Sequence, residues 1–162
     1  MYKKDSGKIK FYIKSDELFN DVSLLSSYMT KNVRIDGGSA LDEFIISEDE
    51  KDVYDVCVEQ TMPYIYEVIL KMTSGVNKAF DKIVGEISFS VLENSAYNEN
   101  TLTLVDATIR DCMKYGVLAE FYSINTNVDL YSMAKAKHSE MIRLLQARLF
   151  QLKKKSISSQ LK

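Results

Sequence analysis

Pro63 is the only proline in this chain of 162 residues, and glycine occurs six times. Proline and glycine are the strongest local punctuators of secondary structure, so a chain nearly without them favours long uninterrupted helices. Pro63 itself sits inside a helical pattern. Val53, Cys57, Gln60, Tyr64, Val68 and Met72 follow one another at helical spacing, and all but Gln60 are apolar or aromatic. The period continues beyond Pro63, which predicts a bend from one lost backbone donor and not an end.

Helix signals recur along the chain. Ser47 and Glu50 have capping-box spacing, with Glu48 and Asp49 between them, and open a helix over 47–75 that Gly75 stops. Ser15 as N-cap, acidic Asp16 and Glu17, and the stripe Leu18, Val22, Leu25, Met29 predict a helix over 16–31. Leu102, Val105, Ile109, Cys112, Met113, Gly116 and Leu118 mark a helix over 101–124, after a loop at Asn98–Asn100. Gly116 costs about 1 kcal/mol against alanine, which close approach of another helix would explain. Thr126 and Asp129 have capping-box spacing too, and Leu130, Ala134, Met141, Leu145, Leu149 and Leu152 give a last helix over 127–155.

Two segments change period. Ile9, Phe11 and Ile13 alternate with Lys8, Lys10 and Lys14, predicting a strand over 8–14 whose lysines guard an edge. Ile87, Phe89 and Val91 alternate with Ser88 and Ser90, predicting a strand over 84–92. A two-strand sheet is marginal alone and needs a helix beneath it or a strand from another subunit. Met1–Gly7 is polar and reads as mobile, Asp36–Ser39 as a turn-rich loop, and 156–162 as a flexible tail. The fold class is mainly α: one four-helix domain over 1–155 with a minor two-strand β element.

Composition fits one globular domain, with 46% hydrophobic and 27% charged residues. The net charge of −2 argues against a dedicated nucleic-acid binder. There is no apolar run of the ~18 residues a membrane span needs and no signal peptide, so a cytoplasmic site of synthesis is the expectation. Cys57 and Cys112 each sit in an apolar helical pattern and read as buried thiols.

Candidate chemistry is thin. His138, the only histidine, lies near Lys135, Lys137 and Glu140 and reads as a solvated-face residue. No nucleophile elbow, phosphate loop or dinucleotide fingerprint occurs. Glu48, Asp49, Asp52 and Asp55 lack Ca²⁺-loop spacing and serve a helix dipole without a metal. Lys153, Lys154 and Lys155 form a basic run without interleaved aromatics, which suits a helix end or an acidic protein better than nucleic acid. Tyr54, Tyr64, Tyr66, Tyr115, Tyr122 and Tyr131 suit interfaces or the edge of a core. No catalytic, cofactor or metal residue is nominated, and the chain reads as non-enzymatic.

What stands out is charge separation. Acids crowd Asp42–Asp55 with Lys51 the only base, and bases dominate Lys135–Lys162 with Glu140 the only acid. Such a chain suits like-on-like packing, where complementary charge fixes register and partner choice.

The pieces in order carry a resemblance. They are the N-terminal strand leading into Asp16–Val22 and Leu25–Tyr28, the Ser-Glu-Asp-Glu start of a tyrosine-bearing helix, a strand, the Arg110–Gly116 helix, and Arg143–Leu145 through Arg148–Phe150 into Lys153–Lys155. From about Lys8 to Lys155 this order resembles head-to-tail connector proteins, also called adaptors or neck ring proteins. Those proteins belong to tailed phages and prophages of Bacteroides-type bacteria. The resemblance implies a structural virion protein, assembled in the host cytoplasm and placed in the neck at the portal vertex. It implies a homo-oligomeric ring of about 12 copies, bound to the portal protein and to downstream tail or neck proteins, with DNA only in transit through its channel. Phe11, Ile13, Ile87 and Phe89 would then be strand contacts between subunits, and Lys153, Lys154 and Lys155 a portal-docking tail. The alternative from the residues themselves is a cytoplasmic helical interaction module, a regulatory or antitoxin-like binder that masks a partner.

Overall fold

The computed structural model describes residues 1–5, 7–31, 44–72, 80–83, 85–93 and 97–160, with side chains for all of these but 5, 72, 80–83 and 153–160. In chain order the elements are β1 (Tyr2–Asp5), β2 (Lys8–Lys14), α1 (Ser15–Lys31), α2 (Lys51–Met72), β3 (Phe80–Ile83), β4 (Glu86–Leu92), α3 (Glu99–Ile124) and α4 (Val128–Gln160). The mainly helical class with a minor sheet holds.

The sheet has four strands, two more than expected, in the order β1-β2-β4-β3 and antiparallel throughout. Each added strand comes from a hairpin with a two-residue loop, closed by the pairs Asp5↔Lys8 and Ile83↔Glu86. Gly7 and Gly85 take φ of +78° and +90° in those loops, a left-handed backbone that glycine adopts at no steric cost. Met1–Gly7 is therefore not a mobile lead-in but holds strand β1. Gly7 and Gly85 are the turn signals that mark the two hairpins. β2 becomes a central strand, so its lysines do not guard an edge.

β2 and β4 pair across more than 70 residues of sequence, in the register Ile9↔Val91, Phe11↔Phe89, Ile13↔Ile87. Partners in an antiparallel pair share a face, so these six side chains form one apolar surface. All are buried, and α1 and α3 cover that surface. Tyr2 extends it from β1, its ring 6.1 Å from Phe11. The sheet gains the helix beneath it that a small sheet requires.

α1 follows β2 without a linker, and Ser15 N–H donates to the Gly85 carbonyl at 3.0 Å, tying the helix start to the β3–β4 turn. Leu18, Phe19, Val22 and Met29 face inward. Ser26 is buried yet satisfied: it donates to the Ser23 carbonyl at 2.7 Å and accepts from Ile46 N–H at 3.0 Å.

The Ser47–Glu50 reach-back is present. The Glu50 carboxylate accepts from Ser47 N–H at 2.9 Å and from its hydroxyl, and Glu50 N–H donates to the Ser47 carbonyl at 3.2 Å. The first turn, Glu48–Glu50, is 3₁₀, and α2 proper starts at Lys51. It runs unbroken through Pro63, which stands on the exposed side. Gly75 and the Asp36–Ser39 loop lie outside the described residues.

α3 is the centre of the fold, buried on several faces by Leu102, Val105, Ile109, Cys112, Met113, Val117, Leu118, Phe121 and Tyr122. An α-helix apolar nearly all round is one packed on all sides, and α3 touches α1, α2, α4 and the sheet. It starts inside the expected loop: Asn98 caps it by accepting from Asn100 N–H at 2.8 Å.

The α3–α4 turn also differs from expectation. Thr126 is not the N-cap; it takes φ +55°, and the Asn127 carboxamide accepts from Leu130 N–H at 3.0 Å. Asparagine outranks threonine at this position, so the cap falls one residue later. α4 then buries Leu130, Ala134, His138, Leu145, Leu149 and Leu152 along α3 and α2. It continues to Gln160, beyond the helix end expected at Lys155 and through most of the expected tail, because nothing in 153–160 breaks a helix.

Candidate functional site

Three helices meet at Gly116. A Cβ placed on Gly116 would collide with Thr61 Cγ2 of α2 and would stand 3.2 Å from His138 Nε2 of α4. The glycine thus buys close contact among α2, α3 and α4, the approach the sequence suggested. Thr61 is buried and donates to the Cys57 carbonyl at 2.8 Å.

His138 is the main correction at this site. It is 6% exposed and not on a solvated face. Its position continues the buried seam Leu130, Ala134, which was the signal that flanking charges obscured. Nε2 is buried without a hydrogen-bond partner. Burial, with the nearby Lys135 ammonium, pushes its pKa down to about 4, so the imidazole is neutral at pH 7. The Tyr64 ring meets it edge-on, centroids 6.4 Å apart at 82°.

Above this junction α2 and α4 flank a groove of about 450 Å³. Tyr64, Glu67 and Lys71 come from one helix; Lys135, Ser139, Arg143 and Gln146 come from the other. Tyr64, Glu67 and Lys71 share a helical flank, as do Lys135, Ser139, Arg143 and Gln146, through spacings of three and four. Lys135 Nζ lies 5.6 Å from the Tyr64 ring centroid, a cation–π contact. Lys71 pairs with Glu67 at 3.4 Å. Among the described residues Lys135 and Arg143 have no carboxylate partner, so the groove presents three cations against one carboxylate.

A second surface lies at the other end of α2. Glu48, Asp49, Asp52 and Asp55 are exposed. Among the described residues no group of histidine, cysteine or carboxylate side chains has metal-binding geometry. Glu48 pairs with Lys51 at 3.4 Å, and Lys51 Nζ lies 5.3 Å from the Phe19 centroid. Exposed Val56, Tyr64 and Leu70 add apolar surface along the same helix.

Phe11, Ile13, Ile87 and Phe89 are at most 2% exposed, inside the chain's own core. Both neighbours of β2 and of β4 are already strands of the same chain. These four side chains hold the fold together and have no surface for a neighbouring subunit; the free edges belong to β1 and β3. The backbone of Lys153, Lys154 and Lys155 is helical, and their side chains lie outside the described residues.

The thiols are buried and free. Burial pushes Cys57 and Cys112 up to about 12, the carboxylates of Glu120 and Asp111 adding to it respectively. A thiol so raised is a poor nucleophile. Tyr54 and Tyr122 are core residues, Tyr66, Tyr115 and Tyr131 half-buried, and Tyr64 exposed. Tyr122 and Tyr131 also border a smaller cavity of about 270 Å³ at the α3–α4 turn. No described helix is long and apolar enough to cross a membrane. No family model, no curated protein and no solved structure matches this chain.

Proposed function

We propose that this chain is a structural, non-enzymatic protein of a tailed-phage neck, forming a ring of its own copies between portal and tail through which DNA passes in transit. The observation that carries the reading is the layout of charge on one protomer. Exposed acids occupy the start of α2, and a cationic groove lies between the other end of α2 and α4. Two unlike, complementary patches on one protomer favour head-to-tail contacts, and such contacts close into rings when the rotation allows.

Other features support it. The groups that could serve a reaction are withdrawn: both thiols are raised by burial, and the one histidine is buried and neutral. The net charge of −2 suits a channel wall that lets DNA slide, since basic contacts hold DNA through counterion release. Portal and downstream tail proteins are the implied partners, and the virion neck the implied location.

The test is peptide mass spectrometry of purified particles, with copy number taken against the major capsid protein. About a dozen copies per particle is the expected result for a closed ring. Absence from particles, with the protein abundant in host cytoplasm, would overturn the neck reading and favour a cytoplasmic interaction module.

A further inference from the structure

We infer that the groove between α2 and α4 is the docking site for a second copy of this chain, and that what it takes is the acidic start of that copy's α2. The inference rests on the ring reading above and assigns its subunit contact to named residues.

Charge complementarity points to this occupant. The groove carries Lys71, Lys135 and Arg143 against Glu67, and Lys135 and Arg143 have no carboxylate partner among the described residues. Asp52 and Asp55 are exposed at the far end of α2, and Asp49 is exposed in the 3₁₀ turn that leads into it. A chain cannot satisfy its own groove with them. Asp52 and Lys71 are separated by ~28 Å along α2 at 1.5 Å per residue, and a helix cannot fold back on itself. Only another molecule can bring the two patches together.

The geometry also selects the kind of contact. At about 100° per residue, Asp52 and Asp55 point more than a quarter turn away from Tyr64 and Lys71 about the helix axis. The patches therefore lie on different faces. A face-to-face two-fold pairing would not satisfy both, whereas a head-to-tail contact uses one patch from each neighbour and repeats. Each patch carries apolar area for such a contact. Val56 is 47% exposed beside Asp52 and Asp55, and Tyr64 is 51% exposed at the groove. Apolar centres within polar rims, with tyrosine prominent, are the usual anatomy of an interface. Tyr64 is held by the Lys135 cation on its ring and by the edge of buried His138, so little freedom is lost when a neighbour covers it.

The experiment is sedimentation velocity on the full chain at low and high salt, with two charge-reversal sets. One set carries Lys135→Glu and Arg143→Glu; the other carries Asp52→Lys and Asp55→Lys. The wild type should self-associate, and more weakly as salt rises. Each set alone should raise the dissociation constant by at least about tenfold. An equimolar mixture should recover to within about threefold of wild type, because the native patches meet and the reversed patches meet. Circular dichroism verifies that each set folds, and Lys135→Gln with Arg143→Gln replaces a set that does not. A wild type that stays monomeric at ~100 µM in low salt overturns the contact. So does undiminished assembly of either set, or a mixture that fails to recover. The neck reading fails separately: it falls if particles lack the protein, even where the contact is upheld, and it survives if particles carry the ring while the reversed sets assemble normally.

Discussion

Thr61 Cγ2 fills the space that a side chain at Gly116 would need, so α2 and α3 touch where one has a methyl and the other has none. The pair fixes how close the two helices come, and His138 of α4 closes the third side. Gly116→Ala should therefore destabilise the protein by about 1–3 kcal/mol through overpacking, despite alanine's better helix propensity. Thr61→Ser removes the clashing methyl and keeps the hydroxyl that bonds Cys57. In the Gly116→Ala background it should restore part of the loss, although alone it costs stability. Urea denaturation of the four proteins in this double-mutant cycle measures the coupling; additive effects would mean that the helices move apart freely.

That junction shows where sequence reading succeeds and where it stops. Gly116 in an apolar helix signalled a close approach, and Ser47–Glu50 signalled a helix start, because both signals are local. His138 misled because Lys135, Lys137 and Glu140 surround it in sequence, while burial is decided by which neighbour α4 faces. Lys137 and Glu140 do face solvent and pair at 2.9 Å; His138 follows Ala134 into the seam. The strands β2 and β4 were legible from their alternation. Strands β1 and β3 were not, since four residues give too short a period to stand out and only their Gly turns marked them. The charged groove was out of reach for the same reason as His138: it joins residues of α2 and α4 that are far apart in the chain.

His138 gives the protein an acid-sensitive core. Its folded pKa is pushed down to about 4 from an ordinary 6.5, so the unfolded chain binds the proton more readily. Stability from this group is fully present above pH 6.5 and is lost as pH falls toward 4. Between pH 7 and pH 5 the loss should be about 2 kcal/mol. The charges facing it include Lys135 from its own helix and, across the groove, Glu67 and Lys71 of α2. Carboxylates titrate at the acid end of the range, so the readout is a difference. Urea unfolding of wild type and His138→Leu is compared at both pH values, and the wild type should lose more by that amount. Equal losses would show the imidazole to be solvated.

The α3–α4 turn separates two readings that sequence spacing alone could not. If Asn127 is the cap, Asn127→Ala should cost about 1 kcal/mol, while Thr126→Ala should cost no capping energy. Thr126 sits at φ +55°, where a β-branched residue is strained. Thr126→Gly should consequently be neutral or stabilising by up to about 1 kcal/mol. Thermal and urea denaturation report both. A loss on Thr126→Gly larger than that on Asn127→Ala would return the cap to Thr126.

Phe11 tests whether the central strands serve the fold or a neighbour. A strand contact between subunits would place its ring at a surface, and truncation would weaken assembly while leaving the protomer intact. The structure buries Phe11 completely, in register with Phe89 and beside Tyr2. Phe11→Ala should then cost about 3–5 kcal/mol of protomer stability, from the lost transfer energy and the cavity left between sheet and helices. Phe89→Ala should behave alike, and the double variant should fall short of additivity because the two residues stand opposite each other across β2 and β4. Residual stability decides whether such variants remain folded, so Phe11→Leu serves as the milder probe of the same site. Urea denaturation should show the loss in all three single variants, and sedimentation of folded Phe11→Leu should match the wild type. Reduced assembly without reduced stability would move Phe11 to a subunit interface and require the hairpin β1–β2 to open on assembly.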